Sequence, residues 1–193
     1  FGNWLENMVD WNLSRSRYWG TPLPIWRTAD GSEEKCIGSI EELNAEIRRA
    51  GEVLGGDVNR HYLHDGILDL HKPYVDEVVL VSSKGEPMHR EPDLIDVWFD
   101  SGAMPYAQWG LDQEKLKAGT DKPFNAPFDQ NFPADFICEG VDQTRGWFYT
   151  LHALGALLFD SVAFKNVVSN GLVLDRNGNK MSKRLGNVVN PFE

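Results

Sequence analysis

Two short apolar segments and the helical segment between them constrain the fold of this chain more than any other feature. The first apolar segment, residues 134–138, ends at Glu139-Gly140, and the second covers residues 164–169. Between them, apolar side chains recur at helical spacing over residues 141–159. A strand, a helix and a strand in this order form a βαβ unit, so we predict an α/β fold with parallel strands and a right-handed crossover.

Ligand-binding side chains are expected where the first of these strands ends. In parallel sheets, ligands bind at the carboxyl ends of the strands, beside the N-termini of the following helices. Residues 139–143, Glu-Gly-Val-Asp-Gln, occupy this position, and Asp142 lies in the first turn of the predicted helix. A third apolar run follows the second strand at residues 172–174. The pattern therefore predicts a binding site at residues 139–143.

The first 26 residues are predicted to form an aromatic-rich helix and a short strand. The helix breaks at residues 20–24, Gly-Thr-Pro-Leu-Pro, and the strand lies around Ile25-Trp26. The aromatic residues of the predicted helix are Trp4, Trp11, Tyr18 and Trp19.

Residues 27–93 are polar and interrupted by turns, so we interpret them as a small insertion rather than a second core. One helix is predicted to begin after Ser39 and to end at Ala50-Gly51, since Ile40, Leu43 and Ile47 follow at helical spacing. A short β-branched strand is predicted at residues 78–81.

Composition excludes several classes of protein. No apolar run approaches the roughly 20 residues that a membrane-spanning helix needs. The two cysteines, Cys36 and Cys138, lie too far apart in sequence for a Cys pair that binds zinc, and they fit the reducing cytoplasm. The formal net charge of −10 argues against non-specific nucleic-acid binding by the whole surface. Because the chain begins with Phe1, we expect it to be a piece of a longer protein.

The segment 175–193 is basic although the chain as a whole is acidic. Its cationic residues are Arg176, Lys180, Lys183 and Arg184. A local basic loop on an acidic protein indicates a focused anion site. The alternative is an ordinary solvated hairpin, because Asn177-Gly178 is a common turn pair.

Four motifs occur in order along the chain. They are WNLSRSRYWGTPLP at residues 11–24, DVWFDSG at 96–102, EGVDQTRGWF at 139–148 and KMSKRLGN at 180–187. Together they resemble the class I aminoacyl-tRNA synthetases, and among these the isoleucyl enzymes; the last motif is similar to the KMSKS loop, with Arg184 where the family usually has Ser. Valyl enzymes usually carry a TGxDI-type element at the position of residues 139–143, and leucyl enzymes differ around Trp98. Valyl and leucyl enzymes therefore remain the alternatives.

The resemblance implies both a fold and a division of the chain. The chain would be the second half of a Rossmann-like catalytic domain with parallel strands, together with a small mixed insertion. Residues 1–26 would return the chain from an editing insertion to the catalytic fold. Residues 27–93 would be the small insertion, and residues 94–193 would complete the catalytic half up to the KMSKS-type loop.

The resemblance also implies the site. Isoleucine and ATP, the latter with Mg²⁺, would react to isoleucyl-adenylate, and the isoleucyl group would pass to tRNA(Ile). Lys180 and Lys183 would be catalytic, since their ammonium groups can stabilise charge on the departing pyrophosphate. The other residues expected to bind the nucleotide or the amino acid are Glu139, Gly140, Asp142, Gln143, Trp98, Trp147, Met181 and Ser182.

Several features of the family are absent from this sequence. It carries no HIGH-type motif and no editing domain, so we expect the isolated chain to be inactive. The segment that holds zinc-binding cysteines in some relatives has none here, so no zinc is expected. The histidines that could suggest a metal site, His61, His64, His71 and His89, are interpreted as loop residues. The other hypotheses are a free-standing nucleotide-binding module and a non-catalytic paralogue that binds nucleotide or tRNA.

Overall fold

A computed structural model of the 193-residue chain describes residues 1–56, 58–60, 63–64, 67–110, 126–189 and 192. Contacts divide the chain into two units. The first unit comprises Phe1–Met8 and Trp98–Glu193, and the second comprises Val9–Val97. This division by contacts is not the predicted division into residues 1–26, 27–93 and 94–193, which stays a prediction.

The second unit is built on an antiparallel sheet of four short strands. These strands are β2 (Ile25–Thr28), β3 (Glu34–Cys36), β6 (Val79–Val81) and β7 (Pro87–Arg90), and their order is β3-β2-β7-β6. Two further antiparallel pairs join β1 (Ser14–Arg15) to β8 (Leu94–Ile95) and β4 (Leu63–His64) to β5 (Ile67–Leu68). A 3₁₀ helix covers Tyr74–Glu77. The predicted strands at Ile25-Trp26 and at residues 78–81 are confirmed.

Helix α2 (Ile40–Leu54) packs against strand β6 of this sheet. Its first turn is capped as predicted, because the Ser39 Oγ accepts the Glu42 N–H at 3.0 Å while the Glu42 carboxylate accepts the Gly38 N–H at 2.8 Å. The predicted end at Ala50-Gly51 is wrong. Gly51 stays helical, and the helix ends at Gly55, whose φ of 115° lies in the left-handed region that favours glycine.

The expectation that residues 27–93 contribute no second core is wrong, whereas their description as an insertion stays a prediction. The second unit has a hydrophobic core of its own, formed by the buried residues Trp26, Ile37, Leu43, Ile47, Val75, Val78, Leu80 and Met88. The core is missed at the level of sequence because its strands are only three or four residues long. In so short a strand, apolar and polar residues alternate over too few positions for the strand to be predicted from sequence.

The predicted helix over the first residues is largely wrong. Helix α1 covers only Gly2–Glu6. After it, the Trp11 Nε1 and the Arg15 Nη2 both donate to the Asp96 Oδ2 at 2.8 Å, and Ser14 pairs with Ile95. These contacts favour an extended conformation over a helix, because they fix residues 11–15 beside strand β8.

The first unit contains the predicted βαβ arrangement. Strands β9 (Ile137–Gly140) and β10 (Val167–Asn170) are parallel, in a register that runs from Ile137 opposite Val167 to Gly140 opposite Asn170. Helix α5 (Trp147–Phe159) lies between them in the chain, and the prediction of parallel strands in an α/β fold is confirmed. The core between helix and strands is formed by Ile137, Phe148, Leu151 and Ala163.

Three details of this unit differ from the prediction. The strands predicted at residues 134–138 and 164–169 both begin three residues later, at Ile137 and Val167, and Ala134 and Phe164 form only an isolated parallel bridge. The helix predicted from residue 141 is a 3₁₀ helix over Val141–Arg145 followed by α5, because Gly146 has a backbone conformation outside the helical region. The apolar run at residues 172–174 forms no strand with the described residues. Only Leu174 takes part in a bridge, an antiparallel one with Lys180.

Helices α3 (Val97–Ala107) and α5 approach closely at one glycine; the remaining described helix of the first unit is α4 (Ala126–Asn131). A Cβ placed on Gly102 would lie 3.0 Å from the Leu154 Cδ1 and 3.1 Å from the Thr150 carbonyl carbon. Gly102 therefore lets the two helices pack with almost no space between them. The helices of the described part of the chain lack the length and apolarity that a membrane crossing requires.

The buried Tyr106 predicts a specific loss of stability at high pH. Its hydroxyl makes no hydrogen bond to the residues that the structure describes, and burial raises its pKa from 10.0 to about 12. The unfolded chain would release this proton near pH 10 while the folded chain keeps it, so its contribution to stability is complete below pH 10 and is lost between pH 10 and about 12. Urea unfolding of the 193-residue chain at pH 8.5 and at pH 11, wild type against Tyr106→Phe, measures this. Between these two pH values, we expect the free energy of unfolding to decrease less in Tyr106→Phe than in the wild type. Equal decreases in the two proteins would contradict the prediction.

Candidate functional site

The end of strand β9 carries the first group of predicted site residues. Glu139 and Gly140 are the last residues of the strand, and Asp142 and Gln143 lie in the 3₁₀ helix that follows directly. The Asp142 carboxylate folds back over Gly140, because a Cβ on that glycine would lie 2.6 Å from the Asp142 Oδ1. A side chain at position 140 would therefore displace the Asp142 carboxylate from its present position.

Gln143 is held by the start of helix α5. Its Oε1 accepts the Trp147 N–H at 3.1 Å, and its Nε2 lies 3.4 Å from the Asp142 Oδ2. A Cβ on Gly146 would lie 2.8 Å from the Gln143 Oε1, so a side chain there would displace the Gln143 amide. The amide therefore caps α5 and orients the Asp142 carboxylate at the same time.

The two tryptophans of the predicted amino-acid pocket lie on helices that contact each other. Trp98 is on α3 and is 42% exposed, whereas Trp147 is partly buried against the core of the first unit. The Trp147 Nε1 donates to the Ser101 carbonyl oxygen at 2.9 Å, which links the start of α5 to α3. Trp147 thus has a packing role, and its role as a pocket wall stays a prediction.

Lys180 closes a hairpin in the second group of predicted site residues. The Gly178 N–H donates to the Asp175 carbonyl at 2.9 Å, and the Asp175 N–H donates to the Asn179 carbonyl at 2.9 Å. Leu174 and Lys180 face each other across this turn. The hairpin suggested by Asn177-Gly178 is therefore formed, and Lys180 lies at its end. A hairpin at this position is compatible with a function for Lys180.

A second turn follows and contains Lys183. The Leu185 N–H donates to the Ser182 carbonyl at 3.0 Å, and the Gly186 N–H donates to the Lys183 carbonyl at 3.3 Å. The Ser182 Oγ accepts the Arg184 N–H at 3.3 Å, and the Met181 Sδ accepts the Val189 N–H at 3.3 Å. Met181 and Ser182 therefore help to shape the loop between the two lysines.

The loop is electropositive apart from one carboxylate. Its cations Arg176, Lys180, Lys183 and Arg184 are exposed, and none of them forms an ion pair with the residues that the structure describes. The pKa of the Asp175 carboxyl is lowered, chiefly by the hydrogen bond from the Asn187 side chain and then by the Asn179 N–H. An exposed cluster of cations of this kind suits a phosphate-bearing ligand.

Two residues of this loop are missed by the sequence analysis. The Asn187 Nδ2 donates to the Asp175 Oδ2 at 2.8 Å, and the Asn187 Oδ1 accepts the Ser182 N–H at 2.8 Å. The available signal was that Asp and Asn commonly bond to nearby backbone in turns. This signal could not show that the Asn187 side chain would bond to both turns of the loop.

The histidines give no metal site within the described residues. The His71 Nδ1 lies 2.8 Å from the Asp69 Oδ1, and its ring stacks on Trp19 at 5.8 Å between ring centres. His89 lies on an exposed position of β7, while His61 and the side chain of His64 lie outside the described residues. No group of three or more His, Cys, Asp and Glu side chains in the described part of the chain could hold a metal ion. The prediction that this chain binds no zinc stays a prediction.

A protein family matches the sequence of this chain over its whole length. The family described as tRNA synthetases class I (I, L, M and V) matches residues 1–193, so the chain belongs to the class I aminoacyl-tRNA synthetases.

Its curated relatives are isoleucine–tRNA ligases, which confirms the resemblance predicted from the motifs. The chain is 66% identical to the isoleucine–tRNA ligase of Cytophaga hutchinsonii, 61% to that of Bacteroides fragilis and 49% to that of Thermus thermophilus. Each match covers 100% of this chain but only 16%, 17% and 16% of the relative, respectively. The chain therefore spans about one sixth of the length of these relatives.

A solved structure supports the fold. The LeuRS of Agrobacterium radiobacter K84, crystallised as a ternary complex with tRNA and LeuAMS, matches with a TM-score of 0.57. The match covers 96% of this chain and 22% of that chain at 20% sequence identity. At this identity the likeness shows a shared fold only.

Proposed function

We propose that the protein containing this chain is an isoleucine–tRNA ligase, which activates isoleucine with ATP and transfers it to tRNA(Ile). The observation that carries the proposal is the match of the entire chain, at up to 66% identity, to isoleucine–tRNA ligases. The chain contributes the second half of a Rossmann-like catalytic domain, in which β9 and β10 are neighbouring parallel strands. The protein works in the cytoplasm, where both free cysteines stay reduced.

In the first reaction, an isoleucine carboxylate oxygen attacks the α-phosphorus of ATP and pyrophosphate leaves. ATP enters as its Mg²⁺ complex, and that ion belongs to the substrate. Little covalent chemistry falls to the protein, so positioning and charge stabilisation provide the acceleration. Lys180 and Lys183 are exposed and free of ion pairs with the described residues, so their ammonium groups are available to the departing pyrophosphate.

The end of β9 serves the other parts of the substrates. Carboxylates repel phosphate, so Glu139 and Asp142 bind ribose hydroxyl groups and the isoleucine ammonium group instead. Gly140 carries no side chain and so leaves room for the Asp142 carboxylate, and Gln143 keeps that carboxylate oriented. Met181 and Ser182 bind the nucleotide as part of the loop that closes over it.

Pyrophosphate exchange by the full-length protein tests this function. We expect exchange with isoleucine, weaker but detectable exchange with valine, and none above background with leucine. A hydrophobic pocket gains only roughly 1–3 kcal/mol from one methylene, a limit known from isoleucyl-tRNA synthetases themselves. A preference for valine or leucine would support the corresponding alternative enzyme, and no exchange with any amino acid would support a non-catalytic paralogue.

Replacement of Trp147 by alanine is predicted to reduce the preference for isoleucine over valine. If the indole is a wall of the side-chain pocket, its loss removes apolar contact area from isoleucine and weakens binding by about tenfold. Trp147→Phe is the control, because it loses the hydrogen bond to Ser101 but keeps an aromatic wall. The measurement is the exchange kcat/KM for isoleucine and for valine in all three proteins. An unchanged ratio in Trp147→Ala would show that Trp147 serves the core alone.

A further inference from the structure

The carboxylate of Asp175 reaches beyond the hairpin that it starts. Its Oδ1 accepts the N–H groups of Asn177 at 2.9 Å and of Asn179 at 2.8 Å, which closes the first turn. Its Oδ2 accepts the Asn187 Nδ2 at 2.8 Å. One carboxylate therefore holds the hairpin before Lys180 and also binds the residue that follows the second turn.

The amide of Asn187 completes the connection on the other side. Its Nδ2 donates to the Asp175 Oδ2 and approaches the Lys180 carbonyl at 3.3 Å, while its Oδ1 accepts the Ser182 N–H at 2.8 Å. The segment between these bonds carries both lysines. We name this pair of side chains, Asp175 and Asn187, the loop clamp.

The chemical type of each side chain in the clamp is matched to that of the other. An ionised carboxylate only accepts hydrogen bonds, whereas an amide both donates and accepts. Two backbone N–H groups and the Asn187 amide donate to position 175, so a carboxylate suits it. Opposite a carboxylate at position 175, position 187 must donate on one side and accept on the other, so an amide suits it.

The conformation of the loop depends on the hydrogen bonds of Asp175 and Asn187, because few of its side chains pack against a core. Lys180, Lys183, Leu185 and Gly186 are exposed, whereas Asp175 and Asn187 are partly buried. In an exposed loop the local conformation depends on hydrogen bonds rather than on a core. The lowered pKa of the Asp175 carboxyl is consistent with a permanently ionised acceptor.

We propose that Asp175 and Asn187 are positioning residues for catalysis, which hold the two turns of the loop so that Lys180 and Lys183 both reach the departing pyrophosphate. This inference rests on the proposed function. Because neither side chain is assigned to the substrate, the clamp acts on the rate of the chemical step through the lysines. It should leave isoleucine binding unaltered.

Exchange kinetics of the full-length enzyme test the clamp. Each single substitution places two like groups opposite each other. Asp175→Asn places an amide donor opposite the Asn187 amide donor, and Asn187→Asp places a carboxylate opposite the Asp175 carboxylate. We expect each substitution to lower kcat for isoleucine-dependent pyrophosphate exchange by at least about tenfold, since small misplacements of catalytic groups have effects of this size. The KM for isoleucine should stay within about twofold of the wild-type value, because the clamp does not contact isoleucine under the proposal.

The exchanged pair, Asp175→Asn combined with Asn187→Asp, provides a rescue. The amide introduced at position 175 can donate to the carboxylate introduced at position 187, which still accepts the Ser182 N–H. The net charge of the loop is that of the wild type. The carboxylate at position 187 cannot donate to the Lys180 carbonyl, so recovery is partial. We expect kcat of the exchanged pair to exceed that of either single variant, since coupled groups show strongly non-additive effects. If the decrease in kcat of the double variant equals the product of the two single decreases, the proposal of a loop clamp is wrong.

Asn177→Asp is the matched control for added negative charge. Its side chain makes no hydrogen bond to the described residues, and it lies in the same loop. We expect an effect below about threefold, because the added charge is exposed to solvent. An effect equal to that of Asn187→Asp would mean that charge, and not the clamp, lowers the rate.

Lys183→Ala in the same assay separates the two proposals. If exchange falls in Lys183→Ala but not in the single clamp variants, the clamp is wrong and the proposed function stands. If exchange is normal in all of them, the clamp and the catalytic role of Lys183 are both wrong. The proposed function itself fails only if the wild-type protein shows no isoleucine-dependent exchange or prefers another amino acid. Circular dichroism and thermal unfolding of each full-length variant identify any that do not fold, and the exchanged pair then decides the outcome.

Discussion

Lys183→Ala in the full-length enzyme is expected to slow isoleucine-dependent pyrophosphate exchange by about a hundredfold or more, the size of effect seen when one dedicated transition-state donor is removed. Lys183 is exposed at the start of the second turn, and it forms no ion pair with the described residues. Its ammonium group therefore has no structural partner to lose. The substitution should lower kcat, because the interaction develops as pyrophosphate departs.

Arg176→Ala is the matched control for the loss of a positive charge. Arg176 lies on the same loop and is exposed as well, but it precedes the two lysines by a turn. We expect a decrease of less than about fivefold for this variant, because exposed charges act weakly at a distance through water. Isoleucine binding without ATP should be unchanged in both variants. Near-normal exchange in Lys183→Ala would remove the catalytic role assigned to the loop.

Trp26→Ala is expected to lower the free energy of unfolding of the second unit by about 3–5 kcal/mol, as is typical for large aromatic residues in cores. Trp26 is 1% exposed, lies in the central strand β2 and donates from its Nε1 to the Val78 carbonyl at 2.8 Å. Loss of the Trp26 indole would leave a cavity in the core, and the Val78 carbonyl would lose this hydrogen-bond donor. The measurement is hydrogen exchange of peptides from β2 and β7 in the 193-residue chain at increasing urea concentration.

Trp19→Ala is the control for this experiment, since Trp19 belongs to the same unit but is 78% exposed. Its described aromatic contact is the stack on His71, so we expect a loss below about 1 kcal/mol. Equal losses in the two variants would contradict a separate core around Trp26. A large difference would confirm that residues 27–93 form more than a surface insertion.

Elements that depend on neighbours in the chain could be predicted. The start of α2 follows from Ser39 and Glu42: the Ser39 Oγ accepts the Glu42 N–H, and the Glu42 carboxylate accepts the Gly38 N–H. The βαβ unit follows from apolar periodicity, which is also local. In both cases the interactions that determine the element lie within a few residues, so they leave a direct trace in the sequence.

Elements that depend on distant partners could not be predicted. The extended segment at Trp11 and Arg15 is set by Asp96, which lies 85 and 81 residues further along the chain. Helical spacing of aromatic residues gave the wrong secondary structure there, because tertiary hydrogen bonds outweigh local preference. The core around Trp26 likewise combines residues from 26 to 88, and the helical spacing of Leu43 and Ile47 does not show which distant strands they pack against.

For the site, the sequence by itself determined the family, the parallel strand pair and the chemical types of the residues, because motifs and periodicity are properties of consecutive residues. Lys180, Lys183 and the Glu139–Gln143 segment are identified in this way. Only the tertiary structure decided how they are held: Gln143 caps α5, Trp147 bonds to Ser101 across to α3, and Asp175 meets Asn187 twelve residues later. These contacts depend on where the chain returns in space, since hydrogen bonds need atoms about 3 Å apart and sequence spacing alone does not fix that distance.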